Sequence, residues 1–266
     1  MKIIAVGALK GGTGKTAFTL NLGGTLASMG HKVLLIDDDP QSNLSSEVGI
    51  DISQTDQLSI KDLYEDADSF APEDLIVESV MDQIPNLDII PSSIYLIEAE
   101  SRLVNRSARE SILSFYIKND HKEFFEQYDY ILIDTNPSMG YCNQNAFMVA
   151  DDIILVTDIS YNGLTGVELF QFLWEKHCKE LRIKKNISAL IVNNFDRRLT
   201  LSTELIEKIK SEEHLRDLLC SVQIPTSSKI KDSSFMHTPV CIIDKNGRAA
   251  TAFRDVIEEL KEKGVL

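Results

Sequence analysis

Three features of this 266-residue chain predict an α/β fold, a doubly wound and mostly parallel sheet with helices on both faces. Short apolar runs of strand length recur at residues 3–6, 32–37, 128–134, 152–157 and 187–194. Segments with apolar residues at helical spacing separate them, as parallel strands require of their crossovers. Two of the runs end in carboxylates, one in Asp37, Asp38 and Asp39 and the other in Asp134. In open α/β sheets ligands bind at that edge, outside the carboxyl ends of the strands. No internal repeat, low-complexity tract or Pro/Gly-rich linker interrupts the pattern, so one domain over residues 1–266 is expected.

The first run leads into Ala8, Leu9, Lys10, Gly11, Gly12, Thr13, Gly14, Lys15 and Thr16, after which Phe18, Leu22 and Leu26 recur at helical spacing. Strand, glycine-rich turn and helix make a phosphate cradle. The backbone N–H groups from Gly11 to Ala17 and the helix N-terminus all face an anion. Lys15 is placed to reach the β- and γ-phosphates, and the Thr16 hydroxyl to hold Mg²⁺. The expected ligands are therefore ATP and Mg²⁺. The general pattern G-x-x-x-x-G-K-[ST] asks for glycine where Leu9 stands, and Lys10 precedes a glycine pair instead. A turn that binds nothing is the competing reading, and the flanking strand and helix argue against it.

This K-G-G-x-G-K-T variant resembles the deviant Walker A motif of the ParA/MinD family of P-loop ATPases, and within it the small Soj-like partition proteins. The resemblance implies that Lys10 crosses a dimer interface to the nucleotide of a second subunit. The run from Asp37 to Gln41 is similar to the family's D-x-D-P-Q switch segment. By that likeness Asp39 orients the attacking water, and Asp37 supports the Mg²⁺ shell or the loop. Carboxylates suit both tasks because they accept hydrogen bonds from water and stay ionised near a metal. The strand ending at Asp134 has the form of a Walker B strand, with Asp134 holding Mg²⁺ through water. It continues Thr135, Asn136, Pro137, Ser138, where the family has C-P-P-S.

Further along, Asn194 is the adenine candidate on the same resemblance, with Asn193 as the second choice. Arg197 and Arg198 face DNA or form an exposed ion-paired couple. The segment from Ile224 to Lys231 is similar to an I-P-R-N family segment. Here Thr226 and two serines, Ser227 and Ser228, replace its arginine and asparagine, leaving Lys229 and Lys231 for phosphate contacts. The implied function is an ATPase that pairs on ATP, binds DNA nonspecifically and is stimulated by a ParB-like partner to segregate plasmid or chromosome DNA. It would act in the cytoplasm, on the nucleoid. The alternatives are a same-fold positioning ATPase with a protein or membrane cargo, a P-loop ligase, and an iron protein of related fold.

Composition bounds these readings. Hydrophobic content of 43% and charged content of 26% are ordinary for a globular protein. Cys142, Cys178, Cys220 and Cys241 are scattered, which offers neither a disulfide framework nor a cluster site. No apolar run is long enough to span a bilayer. The first strand begins so close to Met1 that neither a signal peptide nor an N-terminal helix-turn-helix is expected. The net charge of −14 is uneven: residues 1–150 hold 10 basic against 23 acidic side chains, whereas residues 182–254 hold 13 against 8. A locally basic face is thus compatible with an acidic whole.

Weaker signals fill the remainder. Helices are expected at 59–66, 94–103 and 107–118, and a short strand at 86–91, closed by Pro91. After residue 167, Leu169, Phe172, Leu173 and Lys176 recur at helical spacing, and Trp174 reads as packing. A last helix over 249–263 turns Phe253, Val256, Ile257 and Leu260 inward. Its outer face is of mixed charge, unlike a membrane-targeting tip, so no membrane contact is expected.

Overall fold

The computed structural model describes residues 1–52 and 56–266. In it the apolar runs form one parallel sheet of six strands: β1 (Lys2–Gly7), β2 (Val33–Asp38), β3 (Leu87–Ile90), β4 (Tyr130–Thr135), β5 (Asp152–Thr157) and β6 (Ile187–Val192). Their order across the sheet is β3-β2-β4-β1-β5-β6. β4 is therefore inserted between the first two strands, in register so that Asp134 lies beside both Val6 and Asp37. That register brings the two carboxylate-bearing strand ends to the mouth of the turn after β1.

Alternation along each strand feeds two cores, because both faces are covered. Ile3, Leu34, Ile36, Ile131, Ile133, Leu155 and Leu190 pack on one side; Ile4, Val6, Leu35, Leu132, Ile154 and Ile191 pack on the other. Among the described residues, seven helices are eight or more residues long: α1 (Lys15–Ser28), α2 (Leu96–Leu103), α3 (Tyr141–Val149), α4 (Tyr161–Leu181), α5 (Thr200–Ser211), α6 (Ser228–Phe235) and α7 (Arg248–Glu262). α1 is buried on nearly all sides, since it lies between the sheet and α7, where Phe18 meets Phe253 with ring centroids 5.9 Å apart. The inward stripe of α7 is the expected one, and Phe253, Val256, Ile257 and Leu260 are all buried.

Two helices differ from expectation. The helix expected over 107–118 is broken: residues 107–111 form turns, Ile112–Phe115 is α-helical, and Tyr116–Asp120 widens into a π turn. Its anchors are Asn145 of α3, which accepts from the Leu113 N–H at 3.1 Å, and the Arg109 carbonyl, which accepts from Asn145. In α4 the stripe is rotated. Phe170 and Trp174 are buried against Phe147, whereas Leu169 and Phe172 face outward, Phe172 being 67% exposed. The Trp174 indole N–H donates to Asn186 Oδ1 at 2.9 Å, which fixes which side turns inward.

Candidate nucleotide site

The turn after β1 ends at Gly14, whose φ of 84° caps α1 and places the first helical N–H groups toward a cavity of about 320 Å³. Gly11, Gly12, Gly14, Lys15, Thr16, Ala17 and Asp39 line that cavity, joined by Gln41, Asn43, Glu47 and Pro137. A side chain at Gly14 would collide with Asn193, whose amide nitrogen would lie 2.2 Å from the added Cβ. Asn193 is used there: it donates to the Thr13 carbonyl at 2.8 Å and accepts from the Asn194 N–H at 2.9 Å. It is thus committed to the phosphate-loop backbone. Asn194 follows with φ 54° and is exposed.

Lys15 and Asp39 line the cavity, and the carboxylates of Asp37 and Asp134 are buried behind it, close enough to act on them. Asp134 accepts from the Thr16 hydroxyl at 2.7 Å and, through its other oxygen, from Thr19 at 3.3 Å. Burial pushes its carboxyl up to about 8; the charge of Asp37 adds to this, while Lys15 and Thr16 oppose it. Asp37 accepts from the Ser45 N–H at 2.8 Å and the Ser45 hydroxyl at 2.7 Å, and burial raises it to about 7. Lys15 is lowered by burial, against the pull of Asp134 and Asp39. Asp39 is 7% exposed and accepts from the Gln41 N–H at 2.8 Å, which shapes the switch loop.

This donor set fits a small hard cation held mainly by other ligands. Among the described residues no three His, Cys, Asp or Glu side chains converge on a metal-sized gap. Mg²⁺ characteristically keeps waters and phosphate oxygens and takes few protein ligands. A hydroxyl at Thr16 with Asp134 behind it is that kind of partial shell. Asp37 is already occupied by Ser45, which favours its loop-supporting role over direct ligation.

The remaining expected residues are more dispersed. Lys10 does not line the cavity; its ammonium lies 2.5 Å from Asp158 Oδ2 and 2.9 Å from Ser160 Oγ. Arg198 pairs with Asp196 at 2.6 Å, and that contact lowers the Asp196 carboxyl to about 2. Lys229 pairs with Asp232 at 3.1 Å, while Arg197 lines a second cavity of about 350 Å³ with Phe195, Pro225 and Arg248. Lys231 is exposed on α6.

Comparison with known proteins decides the family. A family model described as an AAA domain matches residues 1–189. The sporulation initiation inhibitor protein Soj of Bacillus subtilis is 32% identical over 99% of both chains, and the chromosome partitioning protein ParA of Caulobacter vibrioides is 28% identical over 98% of this chain and 94% of its own. The chain is a member of the ParA family of partition ATPases. Among solved structures, a plasmid partition protein of Borrelia burgdorferi bound to AMPPNP shares the fold, with a TM-score of 0.78, 24% identity and coverage of 98% of this chain and 99% of that one. The sequence-based fold class is therefore correct. Asp158, Ser160 and Asn193 touch the loop after β1 in this chain, and the motifs did not assign them to it. Only Asn193 carried a signal, as the neighbour of the adenine candidate.

Proposed function

We propose that this ParA-family chain acts as a single ATPase domain that binds ATP with Mg²⁺, pairs with a second copy across the nucleotide, and hydrolyses it slowly until a ParB-like partner stimulates it. The observation that carries this reading is the convergence of Lys15, Thr16 and Asp39 on one cavity at the start of α1, with Asp134 buried behind Thr16 and hydrogen-bonded to it. The loop N–H groups and Lys15 hold the triphosphate; Thr16, backed by Asp134, holds Mg²⁺, which neutralises charge on the phosphates. Asp39 at the cavity orients water, and Lys10 supplies charge to the other subunit's phosphates, in the manner of an arginine finger. Asn194, on the strand-end loop, meets the adenine.

The paired form would present Arg197, Arg198, Lys229 and Lys231 to DNA in the cytoplasm, on the nucleoid. Binding of that kind is nonspecific and weakens steeply with salt. Two of the four cations already have acidic neighbours, Asp196 and Asp232. That observation favours a second reading, a same-fold positioning ATPase whose cargo is a protein.

A gel shift with random duplex DNA, with and without Mg·ATP at increasing salt, tests the DNA arm. ATP-dependent binding that disappears as salt rises is expected; no shift at low salt would leave the protein-cargo reading. ADP and phosphate as the only products, with no ligated molecule, separate both from a ligase.

A further inference from the structure

We propose that Asp158 is a positioning residue for Lys10, holding the ammonium within its own subunit until a second nucleotide-loaded copy offers phosphates in its place. The proposal rests on the in-trans role of Lys10 given above.

The contact is built in detail. β1 and β5 are neighbours, with Gly7 beside Leu155, so the loops carrying Lys10 and Asp158 leave the same sheet edge. Ser160 caps α4 by accepting from the Gly163 N–H at 2.9 Å, accepts from Lys10, and donates to the second oxygen of Asp158 at 2.8 Å. The carboxylate is therefore held by a hydroxyl that the helix itself fixes. The first turn of α4 closes on it only because residue 163 is glycine: an added Cβ would lie 2.5 Å from Asp158 Oδ1 and 2.8 Å from its carbonyl oxygen. The side chains of Lys10 and Asp158 are 29% and 22% exposed, shielded more than a freely solvated pair.

For Lys10 to reach a partner's phosphates this ion pair must open, so its free energy is subtracted from that of pairing. Removing the carboxylate charge then favours the paired state, as any bias between two linked conformations does. Ordinary damage to the fold would weaken pairing instead, so the sign of the effect identifies its source.

The test is sedimentation equilibrium with saturating Mg·AMPPNP on the wild type, Asp158→Asn, Lys10→Ala and the double variant, with melting curves alongside. We expect Asp158→Asn to reach half-pairing at about three- to tenfold lower protein concentration. Asp158→Ala, which also loses the Ser160 contact, should shift in the same direction. In the Lys10→Ala background the Asp158 change should do nothing, because the two residues act through one contact. An unchanged or raised midpoint for both Asp158 variants, with Lys10→Ala staying single, would overturn the proposal and leave the in-trans reading intact. Pairing by Lys10→Ala at the wild-type concentration would remove that reading, and the proposal with it.

Discussion

Asp39 carries the chemistry most exposed to a single substitution. It is almost buried at the cavity, and one oxygen is committed to the Gln41 N–H. Replacing it with alanine removes an acceptor for water but leaves the phosphate loop untouched. We expect Asp39→Ala to pair normally on Mg·ATP while phosphate release falls about 10²- to 10⁴-fold, the range for a lost general base. A wild-type release rate would exclude Asp39 from the hydrolytic step. The same scale shows what sequence reading reaches. Lys15 and Thr16 sit in a motif whose geometry is local, because one turn and one helix start define it. The partners of Lys10 and Thr13 lie 148 and 180 positions away along the chain. Nothing in a linear pattern marks Asp158 or Asn193 as their neighbours; only the strand order does.

At the level of elements, α4 shows why apolar periodicity underdetermines a face. Leu169, Phe172 and Leu173 recur at helical spacing, as do Val167, Phe170 and Trp174. The tie is broken by a tertiary contact, the Trp174 indole bound to Asn186, and by ring packing on Phe147 at 5.4 Å. Truncating Trp174 to alanine should cost about 3–5 kcal/mol, the range for a large aromatic lost from a core. Phe172→Ala should change stability by less than about 0.5 kcal/mol, as exposed positions do. Urea unfolding of both variants checks this, and equal losses would return the helix to the stripe expected from sequence. The strands were more legible than this helix because both faces of a parallel sheet are buried, so an apolar run needs no choice of side. The broken helix at 107–120 was hidden for the opposite reason, since Asn145 on another helix sets where it starts.

Across the whole molecule, the buried acids make stability depend on pH. Asp37 and Asp134 stand at about 7 and about 8 in the folded chain, above the ordinary value of 3.8. The folded state therefore binds protons that the unfolded chain has released. Their contribution is complete at low pH and is lost as pH rises through the folded values. Nucleotide-free protein should melt at a higher temperature at pH 6 than at pH 8.5, and Mg·ATP should narrow the gap by compensating the ionised carboxylates. Calorimetry giving equal melting at both pH values would show that these acids do not govern stability. The strand order has a consequence of another kind, for the newborn chain. β1 is flanked only by β4 and β5, and β2 touches β4 on one side. As the polypeptide leaves the ribosome, its first strand must wait with both edges bare until residues 130–157 have been made. The anion cradle is written first and assembled late, so a translation product halted at residue 125 would have an aggregation-prone edge and no site.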